Sequence, residues 1–98
     1  MEERELRKYK LDFSDCRYLG EIYAHIKKEL QLPQWCGENL DALWDAVTGI
    51  MYTPAEITII PHVKRNELQD EVQEIIAVFQ EAKQVFDEIS VILLEDAR

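Results

Sequence analysis

Apolar and polar residues along this chain alternate, then cycle, then alternate again. Tyr9, Leu11 and Phe13 are separated by Lys10 and Asp12, a two-residue period that predicts a first strand with one half-buried face. Ser14-Asp15 offers a turn or cap. From Tyr18 to Leu30 the period lengthens. Leu19, Ile22, Tyr23, Ile26 and Leu30 share one side of a predicted helix, and Lys27 and Lys28 lie in its last turns, where cations suit the helix dipole. Pro33 stops any continuation, because the residue before a proline avoids the helical region. Gln34 to Glu38 read as an exposed loop, in which Gly37 is expected to supply a backbone conformation that other residues resist. Asn39 reads as the N-cap of a second helix running to about Val47–Thr48, with Gly49 near its C-terminal stop.

Beyond Pro54, the β-branched run Ile57-Thr58-Ile59-Ile60 predicts a buried strand ended by Pro61. The stretch from His62 to Leu68 reads as irregular or a single turn. Asp70 to Phe86 is the longest predicted helix, with Val72, Ile75, Ile76, Phe79 and Phe86 on one face. Ile89 to Leu94 forms a nearly continuous apolar strand, and the last four residues read as a frayed end. Three strands separated by helices imply parallel, right-handed crossovers and a sheet covered by helices. The expectation is a single α/β domain over residues 1–98, with a three-stranded parallel sheet and about four helices. There is no internal repeat, low-complexity segment or linker.

The second helix carries two stripes. Leu40, Leu43, Val47 and Ile50 recur at helical spacing and suit a core. Asp41, Trp44, Asp45 and Thr48 fall at i, i+3, i+4 and i+7 and form a neighbouring stripe. At ~100° per residue, Trp44 borders the apolar face and the two aspartates lie further out. Carboxylates at i and i+4 repel by a few tenths of a kcal/mol, which a helix built only for stability would avoid. A large aromatic beside paired acids, with no base opposite, reads as a contact surface.

Composition narrows the class. Ninety-eight residues, 47% of them hydrophobic, suffice for one core, and no apolar run approaches the ~20 residues that span a bilayer. The charged N-terminal stretch MEERELRKYK is not a secretory signal, and the expected location is the cytoplasm. Cys16 and Cys36 are too few for a disulfide scaffold and fit reduced thiols there. The formal net charge of −9 is concentrated: residues 1–39 carry seven Lys/Arg against eight Asp/Glu, while residues 40–98 carry four against twelve. No basic residue occurs between Lys28 and Lys64. Such a field repels nucleic acid and attracts a basic protein, although an acidic surface also serves plain solubility.

An enzyme needs a poised base or nucleophile with an orienting partner. His25 lies between apolar positions of a helix and reads as structural, whereas His62 follows a strand end, where open α/β folds can carry sites. Cys36 would be a nucleophile only with a base beside it, and a space-filling loop thiol is the simpler reading. Asp41 and Asp45 could flank a substrate as acid and base, yet acids one turn apart on a surface are usually just solvated. The sequence has no glycine-rich phosphate loop, no metal-ligand spacing and no basic-aromatic stripe. The binding reading accounts for more of the segment, since tryptophan is enriched among interface anchors and Trp35 and Trp44 flank one helix N-terminus. Carboxylates there could enter a basic pocket in place of a phosphate.

The run KKELQLPQWCGENLDALWDAVTG, Lys27 to Gly49, closely resembles the signature of the barstar family of ribonuclease inhibitors. The element order and the VFQEAK segment, Val78 to Lys83, extend the likeness over most of the chain. The resemblance implies a barstar-like fold and a cytoplasmic, bacterial immunity protein that is not an enzyme and needs no cofactor or metal. Its partner would be a basic, secreted, guanyl-preferring ribonuclease, bound one to one by a monomer without direct nucleic acid or membrane contact. Carried over by position, Asp45 would enter the ribonuclease's phosphate site and Asp41 would bind a basic residue at its rim. Trp44, Asn39 and Gly37 would shape the contact, with Trp35 and Cys36 in the loop, Thr48 and Gly49 at the helix end, and Glu81 flanking. The chain departs from the family at the rim. Trp35 and Cys36 stand where two tyrosines are usual, Ile50 stands for an aromatic, and Val85 for an outer acid. An acidic interaction module or immunity protein against a different basic toxin or regulator is the alternative.

Overall fold

The computed structural model describes residues 5–94; the charged first residues and the frayed end expected at 95–98 lie outside that range. Three parallel strands, β1 (Arg7–Asp12), β2 (Ala55–Ile60) and β3 (Ile89–Leu93), form one sheet in the order β1-β2-β3. Three α-helices connect them: α1 (Leu19–Glu29) and α2 (Leu40–Gly49) before β2, and α3 (Gln69–Val85) after it. The fourth helical element is only a 3-10 turn at Asn66–Leu68, as the irregular pattern of His62 to Leu68 allows. The α/β class and parallel order are those read from the sequence.

Register explains which residues point inward. Tyr9 pairs with Ile57 and Leu11 with Ile59, while Ile57 pairs with Val91. Side chains alternate across a strand, so these positions share one face, and Leu11, Ile57 and Ile59 there have no solvent exposure. Phe13, Ile22, Ile26, Val47, Val72, Ile75 and Phe79 complete the core, and no polar or charged residue among those described is buried in it. The opposite face carries Lys8, Lys10, Ser90 and Ile92, all exposed. The expected helical cover is therefore one-sided, unlike the doubly covered sheets typical of parallel strands.

Helix ends decide where the chain turns. At the end of α1, Gln31 adopts a left-handed φ of 57°, the Leu32 amide donates to the Lys27 carbonyl at 2.8 Å and the Gln31 amide to Lys28 at 3.3 Å. This paired arrangement ends a helix by satisfying its last carbonyls, and a non-glycine there is strained by about 1 kcal/mol. The helix thus ends before Pro33 is reached. At the end of α2, the amides of Ile50 and Met51 both donate to the Ala46 carbonyl. The chain unwinds at that point, so Met51 turns into the core and Ile50, expected in the apolar stripe, is 39% exposed. Gly49 is the last residue of the helix, next to its stop as expected, and its φ is not positive.

Candidate partner-binding surface

The loop between α1 and α2 separates two adjacent side chains. The Cys36 amide donates to the Pro33 carbonyl at 3.1 Å, closing a tight turn. Trp35 emerges from it 75% exposed, while Cys36 is buried in the core cluster. Cys36 thus fills space, as the simpler reading held, and can offer a partner only its backbone. Lys27 holds the turn from α1: its Nζ donates to the Cys36 carbonyl and pairs with the Glu38 carboxylate, both at 3.3 Å. The Lys27 side chain is only 14% exposed. Sequence reasoning assigned this lysine to the helix dipole and missed its second task as a tether.

Gly37 corrects another expectation. No glycine among the described residues has a positive φ, so Gly37 is not needed for an unusual backbone conformation. A β-carbon at this position would come within 3.1 Å of the Ala42 side chain. The residue is small because the loop crosses closely over the first turn of α2. Asn39 is extended, with φ of −152°, and its Oδ1 accepts from the Ala42 amide at 2.8 Å, the N-cap bond that its position predicted.

Two faces of α2 follow. Leu43, Ala46 and Val47 are buried, and Leu40 and Trp44 pack half-buried along their edges. Asp41 and Asp45 are exposed on the outer side. Neither forms an ion pair with a described residue; the pairs among the described residues are Arg17–Glu21, Lys27–Glu38, Lys64–Asp15 and Arg65–Glu67. Thr48 is half-buried and its hydroxyl donates to the Trp44 carbonyl at 2.7 Å, a bond internal to the helix. Gly49 faces open space, with nothing within 4 Å of where a side chain would begin. Glu81 is exposed on α3, the helix against which α2 packs, and Ile50 and Val85 are exposed as well.

Other candidate groups are engaged elsewhere. His25 Nε2 accepts from the Asp12 amide at 3.2 Å, and its ring meets Phe13 edge-on at 6.0 Å, a structural role. His62 stands exposed after β2. Both cysteines are free and buried, and burial followed by nearby Glu21 and Asp15 pushes the Cys16 thiol up, away from a reactive thiolate. Among the described residues, no three His, Cys, Asp or Glu side chains are grouped to hold a metal ion, and no helix is long and apolar enough to cross a membrane. The arrangement can therefore present unneutralised carboxylates on the outer side of α2, after a loop that exposes Trp35. That is the equipment of a docking surface for cations.

The chain is similar to known proteins over nearly its whole described length. The family model described as Barstar (barnase inhibitor) matches residues 6–94. A protein of Bacillus subtilis (strain 168) named "Putative ribonuclease inhibitor YrdF" is 30% identical over 90 residues, covering 90% of this chain and 99% of that protein. The family is one of inhibitors, and membership supports ribonuclease inhibition in general. The match spans nearly the whole described chain and includes both the loop and α2, so the chain belongs to the barstar family of inhibitors and is not an enzyme.

Proposed function

We propose that this protein is a monomeric, reversible inhibitor that binds a basic, guanyl-preferring ribonuclease one to one and occludes its active site. Trp35, Gly37, Asn39, Asp41, Trp44, Asp45, Thr48, Gly49 and Glu81 form or shape the contact, and Cys36 contributes backbone. Asp45 stands in for a substrate phosphate among the enzyme's cationic side chains, and Asp41 meets a basic residue at the rim. The setting is the cytoplasm of the bacterial cell that makes the ribonuclease. One observation carries the reading: Asp41 and Asp45 are exposed one turn apart, without a described ion-pair partner, on the helix that follows exposed Trp35. Two unneutralised charges at that spacing cost stability unless a cation arrives from outside.

The test is titration of barnase and related basic ribonucleases, following RNA hydrolysis. Wild-type protein should abolish activity at one equivalent. Asp45→Ala should raise the inhibitor concentration required by on the order of 100-fold or more, because truncation leaves desolvated cations of the enzyme unpaired. Equal inhibition by the Asp45→Ala protein would refute phosphate mimicry. Association should also slow steeply as salt rises, since steering is screened.

The apolar rim favours a second reading on the same surface. Trp35, Ile50 and Val85 are all exposed, at 75%, 39% and 60%. They suit a basic partner whose contact ring is less polar than the ribonuclease that defines the family description. Co-purification of a different basic toxin or regulator, with no ribonuclease inhibited, would select it.

A further inference from the structure

The most exposed aromatic of the loop is held by a residue that a docked partner would scarcely touch. Trp35 is the third residue of the turn from Pro33 to Cys36, which the Cys36 amide closes on the Pro33 carbonyl. Leu32 and Cys36 are buried on either side of it, while the indole stands out in solvent. The Cys36 carbonyl takes its donor from another element, the Lys27 ammonium of α1. We propose that Lys27 is a positioning residue of the binding surface: it fixes the direction of the Trp35 indole and so sets how firmly the basic partner is held. The proposal rests on the reading of the loop and α2 as a partner-binding surface.

Three observations carry it. First, one ammonium serves two points of the loop: Nζ lies 3.3 Å from the Cys36 carbonyl and 3.3 Å from the Glu38 carboxylate, on either side of Gly37. It thereby ties the end of the turn to the segment that leads into the Asn39 cap. Second, Cys36 is only 7% exposed, so its carbonyl has little water to fall back on once that donor is gone. Third, no other basic residue can take over. Lys28 is exposed, and no Lys or Arg follows until Lys64. The Lys27 stem is itself mostly buried, so its rotamer freedom is already lost before any partner arrives.

Charge and tether make opposite predictions, which is what gives the proposal content. By charge alone, Lys27 opposes a basic partner, and deleting it should tighten docking and speed association. As a tether, its deletion frees the turn and lets the indole sample directions that the partner cannot accept. Binding then has to order a short backbone segment and one large side chain, a cost of about three- to tenfold in affinity. The loss belongs mainly to dissociation, because the encounter is steered by the carboxylates of α2, which the substitution leaves in place.

The test has two arms. In the first, NMR relaxation of the labelled protein alone follows the amide and indole N–H of Trp35. In Lys27→Met the amide order parameter should fall from the rigid value of about 0.85 toward about 0.6, with the Trp44 indole unchanged, and Lys27→Arg should restore it. The second arm measures binding to barnase and related basic ribonucleases. Lys27→Met should bind about three- to tenfold more weakly through faster dissociation, and Lys27→Arg should recover most of the loss. In a Trp35→Ala background the same substitution should change affinity by less than about twofold, because the residue through which it acts is gone. An unchanged order parameter, tighter binding by Lys27→Met, or a full loss that persists beside Trp35→Ala would each overturn the proposal while the ribonuclease reading stands. If the wild-type protein binds none of these enzymes, the ribonuclease reading fails, and the first arm alone upholds or overturns the role of Lys27.

Discussion

Helices α1 and α2 are nearly equal in length and both lay an apolar face on the same core, yet they treat charge in opposite ways. In α1, Glu21 reaches back to the Arg17 amide at 2.6 Å and to its guanidinium at 3.2 Å. Lys27 and Lys28 occupy the last turn, and Lys27 is tied to the loop. The charges named there are matched by the helix's own end or by a neighbour in the chain. Helix α2 has a good cap in Asn39 and an acid in its first turn, but its last turn holds no basic residue. Asp45 lies at mid-helix, one turn from another aspartate and with no basic residue in the turn that follows. A helix selected for stability resembles α1. One whose counter-charges arrive with a partner resembles α2.

The sharpest test of that contrast substitutes the two faces of α2 in turn. Leu43→Ala, on the buried face, should lose about 2–5 kcal/mol in urea unfolding, through lost transfer energy and a cavity. Asp45→Ala should change the same measurement by only a few tenths of a kcal/mol, toward greater stability. If Asp45→Ala destabilised the fold as much as Leu43→Ala, the outer stripe would be structural and the division of α2 would collapse. Next in size is the cap. Asn39→Ala removes the acceptor for the Ala42 amide and should cost about 1 kcal/mol, read from the unfolding midpoint. Lys27→Met keeps the packed stem and deletes the bond to the Cys36 carbonyl, for a loss of about 1 kcal/mol. Hydrogen exchange should quicken in residues 34–38 of that variant while the strands stay protected; unchanged exchange in the loop would show that Lys27 is not its tether.

The contrast also separates what the sequence could reveal from what it could not. Strand and helix identities were legible because period-two and period-3.6 patterns are local, and Asn39 was legible because capping depends on one side chain and an amide three residues on. The start of β2 was not, since Ala55 and Glu56 join the strand by pairing with Arg7 and Lys8 on one side and Ile89 and Ser90 on the other. Ile50 fits the helical stripe on paper, but the chain unwinds beneath it and gives its place to Met51. Gly37 was singled out correctly and explained wrongly: a close approach to Ala42 demands the same residue as a left-handed turn. On the surface, the exposure of Trp35 and of the two aspartates was legible from the loop and from helical spacing. A cleft between α1, α2 and α3 was hidden, because Tyr23, Leu40 and Glu74 come from three helices and meet only through packing.

The smallest expected effect concerns a charge on the engaged side of the comparison. Asp12 ends β1, and its Oδ1 accepts from the Ser14 amide at 3.0 Å. That bond is the chief reason its carboxyl is held below the usual range; partial burial opposes the shift, and Lys10 and His25 add minor help. A carboxylate whose folded pKa is depressed contributes stability above its unfolded pKa and loses it as pH falls through the folded one. Over that acid interval the unfolded chain binds the extra proton, so stability rises with pH. Asp12→Asn keeps an oxygen acceptor for Ser14 but cannot titrate. The variant should therefore show a shallower loss of unfolding free energy between about pH 5 and pH 2, with little change near neutrality. Identical acid slopes in the two proteins would mean that the Asp12 bond is broken in solution and that the end of β1 is held by its pairing with β2, the Phe13 bond to Ile60 and the His25 contact.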